Sequence, residues 1–147
     1  MTSACFTLRP MTLDDYQAVY DVWKATPGIG LSASDERDAI AAFLERNPGQ
    51  SVVATSADGS IVGVVLCGHD GRRGYLHHLA VLPQYRKQGI AKMLVECCLN
   101  RLRQDQILKC NIFLFRSNES GLAFWKHNRW VTRDDLSVLQ FVLSSAF

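Results

Sequence analysis

Leu79-Ala80-Val81-Leu82-Pro83, followed after Gln84 and Tyr85 by Arg86-Lys87-Gln88-Gly89-Ile90-Ala91-Lys92, decides the reading of this chain. An apolar, strand-like run breaks at a proline and passes through basic residues and one glycine into a helix. The first-turn N–H groups of a helix lack intrahelical acceptors, and the helix dipole places partial positive charge where they point. Gly89 lets the backbone come close to an anion, and Ala91 keeps the next turn uncrowded. Lysine and arginine at a helix start oppose the dipole, a conflict that a bound anion relieves. The backbone amides of residues 87–91, with the charges of Arg86 and Lys87, therefore make a pyrophosphate site; the plain alternative is a helix start that happens to be basic.

Two common phosphate loops are absent. The chain has no GxxxxGK[ST], which excludes a nucleoside-triphosphatase loop, and no GxGxxG dinucleotide turn. The 147 residues, 48% hydrophobic, suit one domain (1–147) with a substantial core. Lys+Arg of 16 against Asp+Glu of 14 gives a formal charge of +2, too little for a nucleic-acid coat. No apolar run reaches the roughly 18 residues of a membrane span, and no secretion signal opens the chain. A cytoplasmic location without membrane or nucleic-acid partners is the expectation. Five cysteines without a Cys-x-x-Cys pair read as buried free thiols. His77 and His78, adjacent on a strand, should point to opposite faces, so no metal site is expected.

Outward from the loop, the pattern alternates between strand and helix signals. Cys5 to Arg9 reads as a strand. Leu13, Tyr16, Val19, Tyr20 and Trp23 follow at helical spacing, ended by Pro27-Gly28. Ser34 suits an N-cap, with Asp35 and Glu36 in the first turn of a second helix that ends at Pro48-Gly49. Ser51 to Ser56 and Ser60 to Cys67 flank an Asp58-Gly59 hairpin turn, and Gly74 to Leu82 is the next strand. A helix from about Gln88 to Gln104 carries the apolar stripe Ile90, Ala91, Leu94, Val95, Cys98, Leu99 and Leu102. Cys110 to Phe115 is a strand, Asn118 to His127 a helix, and Trp130 to Leu143 two strands around Asp134-Asp135. The order β-α-α-β-β-β-α-β-α-β-β predicts an α/β (mixed α+β) domain, with a mixed, mostly antiparallel twisted sheet of about seven strands and four helices on both faces.

Arg86-x-x-Gly89-x-Ala91 after the LAVLP strand resembles the coenzyme A loop of the GCN5-related N-acetyltransferase (GNAT) family. Asn118-Glu119-Ser120-Gly121-Leu122-Ala123-Phe124-Trp125 is similar to that family's second block, and the element order is the family's own. The resemblance implies an acetyl-CoA-dependent N-acetyltransferase that moves acetyl to a primary amine by direct transfer in a ternary complex, with no metal. It implies that Leu79, Ala80 and Val81 splay from the neighbouring strand to meet pantetheine, and that a backbone N–H polarises the acetyl carbonyl. It places Arg86, Lys87, Gln88, Gly89, Ile90 and Ala91 on the pyrophosphate, and Asn118 and Trp125 beside the cofactor.

For the base, Tyr75 and His77 should share a strand face with Leu79 and Val81 while His78 faces away. His77 suits proton pickup near neutrality, and Tyr75 would hold a water. The other reading of His77 is a hydrogen-bonded core histidine, and His78 reads as structural. Trp125 departs from the family's usual tyrosine: an indole N–H donates a hydrogen bond but is no acid at neutral pH. That departure keeps open an acyl-CoA-binding module with little turnover. After this helix Arg129-Trp130 replaces the usual Gly-Phe, with Asn128 expected in the left-handed cap. The acceptor is a small-molecule or peptide amine of unidentified kind, and the sequence allows a homodimer.

Overall fold

In a computed structural model, which describes residues 5–144, the chain forms one five-stranded sheet in the order β1-β2-β3-β4-β5. The strands are β1 (Thr7–Pro10), β2 (Val52–Thr55), β3 (Ile61–His69), β4 (Gly74–Val81) and β5 (Cys110–Ile112). All neighbours are antiparallel except β4 and β5, which run parallel. The helices are α1 (Tyr16–Lys24), α2 (Arg37–Arg46), α3 (Ile90–Gln104) and α4 (Glu119–His127). The mixed, mostly antiparallel sheet with helices on both faces is as expected, and the strand count is five.

Strand alternation sorts the core. Val53, Val64, Leu66 and Ala80 face α1 and α2, packing on Val19, Val22, Trp23 and Ile40. Val52, Val65, Cys67, Leu76 and Val81 face α3 and pack on Ile90, Leu94, Val95, Cys98 and Leu102, with Trp125 of α4 in the same cluster. Both faces of β2 and β3 are covered, which explains their near-continuous apolar sequence. Buried Cys67 and Cys98 serve here as small apolar groups, and burial pushes the Cys110 thiol up to about 12.

One departure matters for function. Leu66 pairs with His77 and Val64 with Ala80, so Val65 stands opposite both His78 and Leu79. This is a β-bulge on β4, and His78 occupies the left-handed region at φ 52. It breaks the expected alternation. Tyr75, His77, His78 and Ala80 face α1 and α2, whereas Leu76, Leu79 and Val81 face α3. Hence His77 does not share a face with Leu79 and Val81, and the two histidines do not point apart.

Three smaller corrections have local causes. Ser32, not Ser34, caps a 3₁₀ turn over Ala33–Asp35, and α2 starts only at Arg37. Arg129, at φ 72, takes the left-handed position expected of Asn128, whose side chain instead donates to Phe124 O at 2.8 Å. Trp130 to Leu143 forms no strands among the described residues, and Val131, Leu136, Val138, Leu139, Phe141 and Leu143 are exposed. The strand pattern is present there, but β5 ends at Ile112 rather than Phe115, so the sheet edge beside it is very short.

Candidate active site

The short β5 opens the sheet. It pairs with β4 only at Gly74, Tyr75 and Leu76, while β4 runs on to Val81 paired with β3 alone. From His77 onward, one edge of β4 is therefore unpaired, and the strands part into a groove of about 2000 Å³. Its lining includes Leu79, Ala80, Val81, Arg86, Lys87, Gly89, Ile90, Ala91, Asn118, Trp125 and His77. The structure thus brings together all the residues expected in the site except Tyr75 and Gln88, which do not line the groove.

At one end stands the loop into α3. Pro83–Tyr85 form a 3₁₀ turn, and Lys87 (φ 62) and Gly89 (φ 82) are both left-handed. The first bond of α3 runs from Met93 N to Gly89 O, so the amides just upstream have no helical acceptor. No side chain caps Gly89, and a Cβ there would meet nothing within 4 Å. Amides without a helical acceptor, with open space at Gly89 and Arg86, Lys87 and Lys92 in the same groove lining, fit a pyrophosphate group.

Opposite lies α4. Asn118 Oδ1 accepts from Gly121 N at 2.9 Å, a helix cap that fixes where α4 begins. Trp125 is 7% exposed, with its ring centroid 4.7 Å from that of Trp130 and 5.2 Å from that of Phe124. It is a core side chain that also forms part of the groove wall.

The two histidines line the groove from the sheet face that meets α1 and α2. His77 has Phe43 edge-on at 6.1 Å and the Tyr75 and Phe113 rings nearly parallel at 6.2 Å. Its imidazole makes no hydrogen bond among the described residues. Burial, and then the neighbouring His78, lower its pKa below the ordinary histidine value, so it is neutral at pH 7. His78 is tethered: its Nε2 lies 2.8 Å from Asp35 Oδ1, and its carbonyl accepts from Trp23 Nε1 at 3.1 Å. Asp35 Oδ2 also accepts from Ser32 N at 2.9 Å. Burial alone would raise the Asp35 carboxyl, but His78 and Ser32 outweigh it and hold the group below the usual carboxylate range.

Sequence reasoning missed the His78–Asp35 pair and the rings around His77. One signal was present. Leu76, Leu79 and Val81 are spaced three and then two apart, which a regular strand does not produce but a bulge does.

A bulged strand splayed from a parallel neighbour, with the basic start of α3 beyond it, is the architecture that the family resemblance implied. The comparisons agree. The model of the acetyltransferase (GNAT) family matches residues 16–128, and the chain belongs to that family. It is 27% identical over 132 residues to an acetyltransferase from Sodalis glossinidius, covering 90% of this chain and 92% of that one. It is 29% identical over 129 residues to one from Yersinia pestis, at 88% and 90% coverage. Among solved structures, Ard1 from Thermoplasma volcanium superposes with TM-score 0.76 at 20% identity, covering 86% of this chain and 82% of that one. The PaiA N-acetyltransferase from Thermoplasma acidophilum, in complex with coenzyme A, does so with TM-score 0.75 at 18% identity, covering 84% and 88%. Among the described residues no helix is long and apolar enough to cross a membrane.

Proposed function

We propose that the chain transfers acetyl from acetyl-CoA to a primary amine, by direct transfer while both substrates are held in the groove. The observation that carries this is the loop into α3: first-turn amides without a helical acceptor, a left-handed Gly89 with open space at its Cβ position, and Arg86, Lys87 and Lys92 in the groove lining. Family membership supports the same reading. Gln88, Ile90 and Ala91 belong to this cradle, and the open edge of Leu79, Ala80 and Val81 is available for main-chain pairing with an extended chain such as pantetheine. Asn118 and Trp125 line the groove as well.

Bound acetyl-CoA supplies a thioester-activated acetyl group, which ends as an amide on the acceptor, with free thiol released. The chain must then accept one proton from the ammonium form of the acceptor. His77 takes that proton: it is neutral at pH 7, makes no hydrogen bond among the described residues, and lies in the groove wall. Tyr75 stacks behind His77, not beside the groove space, and positions its ring. His78 and Asp35 hold the bulge that presents His77. Trp125 shields the groove from water and donates no proton.

Calorimetry with acetyl-CoA, followed by thiol release over a panel of amines, tests the reading. Micromolar binding, in the ordinary range for such substrates, and amine-dependent release are expected. Binding without release for any amine would reduce the chain to a CoA-binding module, and absence of binding would end the reading.

A further inference from the structure

The peptide unit between His78 and Leu79 sits at the bulge of β4, where the sheet has no regular place for it. Val65 stands opposite both residues, and the neighbouring β5 has already ended at Ile112, the partner of Leu76. His78 is left-handed at φ 52, a conformation uncommon for a residue with a side chain and kept only where the surroundings enforce it. Here α1 enforces it. Trp23 Nε1 donates to the His78 carbonyl at 3.1 Å across 55 positions of chain, and the indole meets the His78 ring edge-on at 5.1 Å.

We infer that Trp23 is a positioning residue for acyl transfer, holding this peptide unit so that the Leu79 N–H is aimed into the groove; this rests on the acetyltransferase reading above. A trans peptide is planar, and its C=O and N–H point in opposite directions. With the His78 carbonyl drawn to α1 by the indole, the Leu79 N–H turns the other way, to the sheet face that α3 covers. Leu79 lines the groove.

Acyl transfer gives such a donor its use. As the amine nitrogen bonds to the thioester carbon, the carbonyl electron pair moves onto oxygen. The C–S bond then breaks, and the departing sulfur takes the proton left on the attacking nitrogen, the first having gone to His77. Charge on that oxygen is stabilised best by a donor fixed in advance. A main-chain N–H is held only as firmly as its peptide plane, and this plane is pinned through its carbonyl. Trp23 is 1% exposed and does not line the groove, so it acts through the main chain and not on a substrate. Because the bond goes to the main chain, His78→Gln leaves it in place.

The test measures kcat on the best amine of the panel above, acetyl-CoA affinity, and the infrared band of an isotope-labelled thioester carbonyl. It compares wild type with Trp23→Phe and with Val19→Ala, a buried position on the same helix and in the same core cluster. In wild type the band should move to lower frequency when acetyl-CoA binds, because a hydrogen bond to the oxygen weakens the C=O bond. Trp23→Phe keeps a ring and removes the donor. It should lose most of that downshift and roughly tenfold to a hundredfold in kcat, less than the 10²–10³ for deleting such a donor outright. Acetyl-CoA affinity should stay near the wild-type value. Val19→Ala should lower the urea midpoint but leave band and kcat as in wild type. If Trp23→Phe does not fold, benzothienylalanine in place of Trp23, a bicycle of similar size without the N–H, carries the same expectations. A wild-type band or a wild-type kcat in the Trp23 variant overturns the inference and leaves the acetyltransferase reading standing. So does a wild-type band that does not move on binding, or a loss shared equally by Val19→Ala. Failure of wild type to bind acetyl-CoA, or to release thiol with any amine, removes both.

Discussion

His78 Nε2 lies 2.8 Å from Asp35 Oδ1, so the turn before α2 is fastened to the bulge of β4. The two residues stand 43 positions apart, and their contact ties the connector over the groove to the strand that carries His77. Asp35→Asn should cost about 2 kcal/mol, the usual loss for a hydrogen bond to a charged group, read as a lower urea midpoint. His78→Gln should act likewise on stability.

Stability should fall in two stages as pH drops. The His77 pKa is depressed in the folded state, so folding favours neutral imidazole. Stability is therefore intact above the unfolded value near 6.5 and declines as pH falls below it. The Asp35 pKa is depressed too, so its contribution is present above about 3.9 and lost as pH falls through the folded value. His77→Gln should flatten the upper stage and Asp35→Asn reduce the lower one. Denaturant titrations at three pH values would show it, and unaltered profiles in both variants would count against these assignments.

Gly89→Val should keep the fold and lose the cofactor. A β-branched residue at φ 82 is strained by about 1–3 kcal/mol, yet its Cβ enters open space and clashes with no protein atom. That space is where the pyrophosphate would sit. Acetyl-CoA affinity should drop roughly a hundredfold with an unchanged far-UV spectrum. Wild-type affinity would remove the loop from the site.

How far the sequence reached follows from which forces act locally. The passage from β4 through Gly89 into α3 was legible because the proline and glycine that break the strand and start the helix are close neighbours in sequence, and the apolar stripe of α3 because burial enforces its period. The bulge was not, since an extra residue in a strand is defined only against the partner strand, here Val65 opposite His78 and Leu79. The Asp35–His78 pair, a long-range contact, was equally hidden. Trp130 to Leu143 shows the converse failure: a strand-like pattern becomes a strand only where an edge receives it, and β5 ends at Ile112.

Trp125→Ala should destabilise by about 3–5 kcal/mol, as for other buried aromatics, because its ring packs on Trp130 and Phe124 within the core. Trp125→Phe keeps an aromatic in that place, and its turnover should stay within the same order of magnitude. A thousandfold fall with acetyl-CoA binding intact would mean that the indole takes part in the chemistry.

His77 decides whether the groove supplies a base. Its ring is free of hydrogen bonds among the described residues, while His78 is occupied by Asp35. Because burial holds the His77 pKa low, the acid limb of kcat/KM should have an apparent pKa below 6.5, not above it. His77→Gln should abolish that limb and lose roughly 10²–10⁴ in turnover, the usual worth of general-base catalysis, with acetyl-CoA affinity nearly unchanged. Tyr75→Phe, which keeps the stacked ring, should leave the limb in place. His78→Gln should lower stability and move turnover far less. If instead His78→Gln removes the limb and His77→Gln does not, the tethered histidine is the base and Asp35 its orienting partner. If neither removes it, the amine loses its proton to water, and the groove contributes only position and desolvation.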